Sequence, residues 1–182
     1  MGHSTAQKVK RPKVNRLNTI YTMTSAELED YLHEHLPLSK AMQVSAIEVN
    51  DDSVLLSAPL EPNINHCGTV FGGSASTLAI LSAWSLLHVR LQTAGIESQL
   101  VVQRNTMEYK HPIDGEFTAR SVLTDSTKWD RFIRMFSRKG KARISVDSEL
   151  IYQGKIAGRF RGEFVVLAKK INDEFKSEDK KV

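Results

Sequence analysis

Residues 62–73 read PNINHCGTVFGG, and the uncharged run SASTLAILSAWSLL follows at 74–87. Gly72 and Gly73 allow a ligand to approach the backbone closely, because they carry no Cβ. A helix that begins there directs unpaired N–H groups, and the positive end of its dipole, towards the loop. Such a helix start suits a carbonyl oxygen that becomes an oxyanion. The side-chain amide of Asn65, seven residues before Gly72, can add a further donor at the same place.

The run at 74–87 predicts a buried helix. It is apolar or small on every face, which is typical of a helix that is packed on all sides. Its fourteen residues fall short of the roughly 20 that a membrane span requires. The simplest interpretation is a core helix entered through a glycine turn, and this leaves open whether the loop performs chemistry.

The loop pattern Asn-x-x-Gly-x-x-x-Gly-Gly, which begins at Asn65, resembles that of the hotdog-fold acyl-thioester enzymes. The longer match, from SAPL at 57–60 through PNIN to FGGS, resembles the YiiD C-terminal-domain family, and the resemblance extends over residues 38–169. Members of that family have been labelled thioesterases, and some are malonyl-acyl-carrier-protein decarboxylases. The resemblance implies an α+β hotdog fold, in which a curved antiparallel sheet wraps a long central helix. It also implies a homodimer or higher oligomer, with a site where the loop of one subunit meets the other subunit.

The composition is that of one soluble globular domain, with 41% hydrophobic and 25% charged residues among 182. A single cysteine excludes an intrachain disulfide. No apolar segment of the secretory type follows the basic residues near the N-terminus, so we expect a cytoplasmic protein.

The net charge of +4 is local in origin. Residues 1–18 contain five basic residues and no acidic one, and the rest of the chain has 20 basic and 21 acidic residues. The segment 125–143 contains seven basic and two acidic residues. We therefore expect neither a nucleic-acid nor a membrane partner, but an acidic protein that binds this segment. With the family resemblance, that protein is an acyl carrier protein, and the candidate docking residues are Lys128, Arg131, Arg134, Arg138 and Lys141. The alternative is an ordinary solvated basic surface.

Composition indicates a flexible basic arm at 1–18 and a charged tail at 170–182. The resemblance implies a hotdog domain at 38–169, and an N-terminal helix and lead-in at 19–37 precede it. Thr24 and Glu27 form a capping-box pattern that predicts a helix over 25–35. Strands are predicted at 42–49, 54–58, 98–109, 116–123, 141–152 and 155–168, the last two as a hairpin around Gln153 and Gly154. The central helix is expected to end near Gly95, and an amphipathic helix is expected over 128–137. Composition and periodicity indicate an α+β fold with a buried helix, and the hotdog arrangement follows from the resemblance.

Asn65, Gly72 and Gly73 are the candidate catalytic residues, because together they supply amide donors for a thioester oxygen. For Asn65 the alternative is a turn asparagine that bonds to local backbone, and Asn63 is expected to hold the loop. The candidate substrate-binding residues are His66, Phe71, Ile80, Trp84 and Arg104. Neighbouring residues seldom face each other, which argues against a Cys67–His66 nucleophile. No His, Cys and carboxylate cluster has metal-ligand spacing, so neither a metal nor another cofactor is expected.

The type of reaction depends on a residue that is missing. Many hotdog thioesterases carry an Asp or Glu on the central helix, about two turns after the glycine pair, whereas residues 74–93 contain no acid. Hydrolysis needs an activated water, and a general base is typically worth about 10²–10⁴-fold in rate. Decarboxylation of a malonyl thioester needs instead a stabilised enolate and apolar surroundings. The preferred interpretation is a malonyl-acyl-carrier-protein decarboxylase that forms acetyl-carrier protein for fatty-acid synthesis. A thioesterase whose base lies elsewhere, for instance Glu108, and a non-catalytic acyl-thioester-binding module are the alternatives.

Overall fold

The computed structural model describes residues 23–169. The predicted basic arm and charged tail lie outside the described residues. In chain order, the described elements are α1 (Ser25–His35), α2 (Pro37–Ala41), β1 (Ser45–Val49), β2 (Ser53–Ala58), a 3-10 turn (Glu61–Asn63), α3 (Gly72–Thr93), β3 (Ser98–Tyr109), β4 (Phe117–Val122), α4 (Ser126–Lys139), β5 (Lys141–Tyr152) and β6 (Lys155–Ala168).

The strands form a single six-stranded antiparallel sheet in the order β1-β2-β4-β5-β6-β3. The sheet curves around α3, which packs against strands β2 to β6 and buries Leu78, Ala79 and Leu86 completely. These features confirm the predicted α+β hotdog fold. Within residues 23–169, no helix has the length and apolar character needed to cross a membrane.

The capping box starts α1 as predicted. The hydroxyl of Thr24 accepts the backbone N–H of Glu27 at 3.3 Å, and the Glu27 carboxylate accepts the backbone N–H of Thr24 at 2.8 Å. Leu28 and Leu32 are fully buried against the core. Helix α2 has no predicted counterpart. It begins at Pro37, in the first-turn position that proline tolerates.

The first strand begins later than predicted, at Ser45 instead of Met42. The backbone of Gln43 has a φ of 54°, in the left-handed region, so residues 42–44 cannot continue a strand. The backbone N–H of Val44 is donated to Ser39 at 2.9 Å, which closes the turn after α2.

An unbroken strand would place Val101, Gln103, Asn105, Met107 and Tyr109 on one face, but a β-bulge in β3 interrupts this alternation. The pairing with β6 shifts register between Val102 and Arg104, so that one extra residue is accommodated there. Leu100 and Met107 both pack against the core although they are seven positions apart, an odd spacing that an unbroken strand would place on opposite faces.

Helix α4 lies beside the part of β5 that β4 does not reach. Strand β4 pairs with β5 only up to Ser121 and Ser148, so among the described strands only β6 pairs with residues 141–147. The helix runs from the Asp125 cap to Gly140, longer than the predicted 128–137, and buries Phe132 and Phe136. An exposed strand edge pairs readily with other chains, and α4 removes that exposure here.

Candidate active site at the start of the central helix

Asn63 holds the loop between β2 and α3 in place. Its side chain is 1% exposed, and its Nδ2 donates to the carbonyl oxygens of Met42 at 3.0 Å and Pro59 at 2.8 Å. Its own backbone carbonyl accepts the N–H of Phe71 at 2.7 Å, which ties the beginning of the loop to the residue before α3. The predicted structural role of Asn63 is confirmed.

The side chain of Asn65 is fully engaged within the loop. Its Nδ2 donates to Thr69 Oγ1 at 3.0 Å and to the carbonyl oxygen of Val70 at 3.3 Å, which uses both N–H bonds of the amide. Its Oδ1 accepts the backbone N–H groups of Cys67 at 2.8 Å and Thr69 at 3.2 Å. This is the turn-forming role that the sequence left open. Asn65 can therefore donate to a substrate only if the substrate oxygen replaces Thr69 or Val70 as acceptor.

The start of α3 provides backbone donors. Phe71 precedes the helix without a side-chain cap, so the N–H groups of Gly72 and Gly73 have no acceptor within the helix. A Cβ on Gly73 would lie 2.2 Å from the Phe71 ring, so any other residue would displace that ring. A Cβ on Gly72 would lie 3.5 Å from the ring of Tyr109, which is ordinary contact. The Phe71 ring can therefore lie this close to the helix start only because residue 73 is glycine.

A pocket of about 360 Å³ opens beside Gly72. Much of its wall is apolar and comes from the loop, α3, the turn before β4, and the β5–β6 hairpin; these residues are Val70, Ala75, Ile113, Leu150 and Ala157. An apolar pocket next to unpaired N–H groups can hold an acyl thioester with its oxygen at the helix start.

The polar side of the pocket consists of Tyr109, Lys110 and His111. The Tyr109 hydroxyl donates to the Gly72 carbonyl oxygen at 2.8 Å and so joins the end of β3 to the first turn of α3. These three residues are not among the predicted site residues, because the contact that brings Tyr109 to Gly72 joins positions 37 residues apart. In the sequence, the one feature that could have pointed to Tyr109, Lys110 and His111 is their position at the end of the predicted strand 98–109.

The structure brings some of the predicted substrate-binding residues to the helix start and keeps others away. His66 is exposed on the loop, and Phe71 is 57% exposed beside Gly73. Ile80 and Trp84 lie about 12 and 18 Å further along α3 at 1.5 Å per residue. Arg104 is exposed on β3, about 17 Å from Tyr109 at 3.3 Å per residue.

Trp84 packs towards α1 and away from the loop. Its indole N–H donates to the carbonyl oxygen of Leu100 at 3.0 Å, and its ring stacks on His88 with centroids 4.8 Å apart. His88 in turn stacks on Tyr31 at 4.5 Å. The indole therefore belongs to the aromatic cluster between α1 and α3, and a substrate contact at Trp84 stays a prediction.

The imidazole of His88 is 8% exposed, and its buried Nε2 has no hydrogen-bond partner among the described residues. Burial, with a smaller contribution from the nearby charge of His35, lowers the pKa of His88 to about 4. His88 is not among the predicted site residues, because only the tertiary packing of α1 on α3 buries it.

We expect His88 to make the fold sensitive to acid. The pKa of an unfolded histidine is about 6.5, so the unfolded state binds more protons between about pH 6.5 and pH 4. As far as His88 is concerned, the free energy of unfolding is highest above about pH 6.5. It declines as the pH falls from about 6.5 to about 4, by at most about 3 kcal/mol. Urea unfolding at about pH 7 and about pH 4.5 measures it. The His88→Phe variant, which keeps a stacked ring, should lose less stability on acidification than the native protein; equal losses would contradict this origin.

The predicted docking residues fall into two groups. Lys128, Arg131 and Lys141 line a groove between α4 and β5. Arg134 and Arg138 are exposed on α4 and are not among the residues that line it.

His66 and Cys67 are both exposed on the loop. Over the described part of the chain, no group of three or more His, Cys, Asp or Glu side chains is arranged to hold a metal ion.

Comparison with known proteins gives consistent results. The family model described as "Putative thioesterase (yiiD_Cterm)" matches residues 25–168. A protein of unknown function from Chlorobaculum tepidum TLS is 30% identical, with a TM-score of 0.76 over 81% of this chain and 99% of that one. A structure described as a "putative thioesterase" from Shewanella oneidensis is 25% identical, with a TM-score of 0.70 over 80% of this chain and 97% of that one. The family match covers most of the chain, and the chain therefore belongs to the YiiD C-terminal-domain family of thioesterase-like hotdog proteins.

Proposed function

We propose that the protein processes acyl thioesters, and that its reaction is the decarboxylation of a malonyl group carried by acyl carrier protein. The family membership supports acyl-thioester chemistry in general. The uncapped start of α3 beside an apolar pocket supports the stabilisation of charge on a thioester oxygen. The observation that favours decarboxylation over hydrolysis is the absence of an acidic residue from positions 74–93 of α3. The substrate is a protein-bound or coenzyme A thioester that brings its own phosphopantetheine, and no other cofactor is required.

In decarboxylation the bond between the carboxylate carbon and the α-carbon breaks, and carbon dioxide leaves. The electron pair of the broken bond stays with the α-carbon and forms the thioester enolate. The negative charge then lies on the thioester oxygen, where the N–H groups of Gly72 and Gly73 stabilise it. The α-carbon finally takes a proton from water, which gives the acetyl thioester. The apolar wall formed by Val70, Ala75 and Leu150 disfavours the charged carboxylate and favours its loss.

Asn65 supplies a third donor in this proposal. The enolate oxygen is a stronger acceptor than the neutral Thr69 hydroxyl or the Val70 carbonyl, because a charged acceptor strengthens a hydrogen bond about twofold. The developing charge therefore favours the exchange of acceptors that Asn65 requires. An interaction that forms only as charge develops lowers the barrier more than it strengthens substrate binding.

Hydrolysis of the thioester is the second candidate. His111 lines the pocket, and an imidazole is the commonest general base in enzymes. The description of the family as thioesterases points the same way. In that reaction water attacks the thioester carbonyl carbon, and the thiol of the carrier leaves.

Mass spectrometry of malonyl-carrier protein after incubation with the enzyme separates the possibilities. We expect the carrier to lose carbon dioxide and to keep an acetyl group. A free thiol on the carrier would establish hydrolysis instead, and an unchanged carrier would indicate a binding module without catalysis. Malonyl-coenzyme A in a parallel reaction shows whether the carrier protein itself is needed.

We also propose that the protein is a homodimer joined through β3. This strand pairs with β6 on one side and forms an edge of the described sheet on the other. It is twelve residues long, and Val101 and Val102 are 48% and 39% exposed. A long strand edge with exposed valines is normally covered, because it otherwise pairs with other chains. Pairing of two β3 strands would continue the sheet across both subunits.

Sedimentation velocity tests this assembly. The native chain should sediment as a dimer at micromolar concentration, and Val101→Asp with Val102→Asp should shift it to monomer, because two charges would be buried at the strand edge. Val122→Asp is the matched control, since Val122 is 46% exposed on β4, away from that edge. A native monomer, or a dimer that tolerates both aspartates, would exclude β3 as the interface.

A further inference from the structure

A groove of about 840 Å³ separates α4 from the first half of β5. Five cationic side chains line it, with Glu163 of β6 as the acidic exception; the cations are Lys128, Arg131, Lys139, Lys141 and Arg143. Between these charges lie the apolar side chains of Phe132, Met135 and Ile144. The groove is therefore cationic on both walls and apolar between them.

The fold itself produces this arrangement. Because β4 ends early, α4 takes the place of a neighbouring strand beside residues 141–147. Phe132 and Phe136 attach the helix to the core, and the Lys128 ammonium group donates to the Ser145 carbonyl oxygen at 2.5 Å. Met135, one turn beyond Arg131, remains 36% exposed in the groove.

The distribution of charge indicates an extended ligand. Lys128 and Lys139 are eleven residues apart on α4, or about 17 Å at 1.5 Å per residue. Separate cations over that length match carboxylates spaced along a helix, and an apolar strip between them matches the apolar face of that helix. A compact phosphate group would favour converging cations or a free helix N-terminus. The N-terminus of α4 is instead capped by the Asp125 carboxylate, which accepts the Lys128 N–H at 3.0 Å.

We propose that this groove docks an acidic amphipathic helix of the carrier protein that bears the thioester. The proposal rests on the proposed function for the identity of the partner. It assigns Lys139, Arg143 and Met135 to the docking surface and leaves Arg134 and Arg138 outside it. Met135 provides the apolar anchor, and the cations on the two walls orient the helix.

The position of the groove fits the proposed dimer. Arg143 pairs with Val165, and Val165 pairs with Val101, so the groove lies near the Ser98 end of β3. The pocket lies at the Tyr109 end, about 23 Å away when counted along β5 from Arg143 to Leu150 at 3.3 Å per residue. Antiparallel pairing of two β3 strands would bring the groove of one protomer to the same end of the sheet as the pocket of its partner. A carrier protein docked on one subunit would then serve the site of the other.

Calorimetric titration with apo-carrier protein, which lacks phosphopantetheine, tests docking without catalysis. We expect Arg131→Glu with Lys141→Glu to raise Kd by about tenfold or more, since two rim charge pairs are lost and reversed. The salt dependence of binding should become flatter. Met135→Glu should also weaken binding, and it provides a second readout if the double variant fails to fold by circular dichroism.

Arg134→Glu with Arg138→Glu is the matched control, because it makes the same change in charge at two exposed residues of α4 that do not line the groove. Its Kd should stay within about twofold of the native value. Equal weakening by both double variants would mean that the net charge of the protein, and not the groove, determines binding, and this would overturn the proposal. A native protein that does not bind apo-carrier protein would also overturn it. Saturation of the groove by coenzyme A in competition with apo-carrier protein would identify a nucleotide site instead and would also overturn it. An enzyme that binds apo-carrier protein but leaves malonyl-carrier protein unchanged would refute the proposed function alone.

Discussion

Asn65→Ala should lower kcat by about 100- to 1000-fold, the usual cost of removing one oxyanion donor. The fold should survive, because Asn65 is only partly buried and its hydrogen bonds stay within the loop. Steady-state kinetics on malonyl-carrier protein, with thermal unfolding of the same samples, measures both effects. Turnover like that of the native enzyme would remove Asn65 from the mechanism.

Two further variants separate chemistry from loop order at this position. Asn65→Asp keeps the oxygen that accepts the N–H groups of Cys67 and Thr69, but it loses the amide donor and adds a charge that opposes the enolate. It should be no more active than Asn65→Ala, and substantial activity would show that Asn65 only shapes the loop. Thr69→Val removes one acceptor of the Asn65 amide, so it should retain activity if the exchange of acceptors is part of the reaction.

Asn63→Ala should act on stability where Asn65→Ala acts on kcat, and it should destabilise the fold by about 2–4 kcal/mol. The variant removes the buried hydrogen bond to the Met42 carbonyl and the partly buried hydrogen bond to the Pro59 carbonyl. Each buried polar group that is left without a partner costs about 1–3 kcal/mol. Urea unfolding gives the free energy directly. Asn65→Ala is the natural comparison, since the two asparagines are two residues apart and the expected losses differ in kind. A stability loss under about 0.5 kcal/mol for Asn63→Ala would show that the loop is held by other contacts.

Elements with strong local signals could be predicted from the sequence. The hairpin of β5 and β6 has the predicted bounds, because Gln153 and Gly154 take the positive φ values, 47° and 71°, that a tight two-residue turn requires. The central helix ends as predicted before Gly95, whose φ is 65°. In each case, one or two residues determine the boundary.

Features that depend on distant pairing could not be predicted. The bulge between Val102 and Arg104 reflects the register of β3 against β6, and it changes which side chains share a face. The contact of Tyr109 with Gly72, and the stacking that takes Trp84 away from the loop, both depend on how elements far apart in the chain pack together. The loop motif predicts where the site lies, and only the packing shows which residues lie around the start of α3.

A crystal structure with a malonyl thioester analogue that cannot lose carbon dioxide would show directly where the thioester oxygen binds. We expect this oxygen to lie about 2.7–3.1 Å from the backbone nitrogen of Gly72 or Gly73, with the malonyl carboxylate against Val70, Ala75 and Leu150. Binding of the analogue with its thioester oxygen away from the start of α3, for instance against Arg104, would contradict the proposed mechanism.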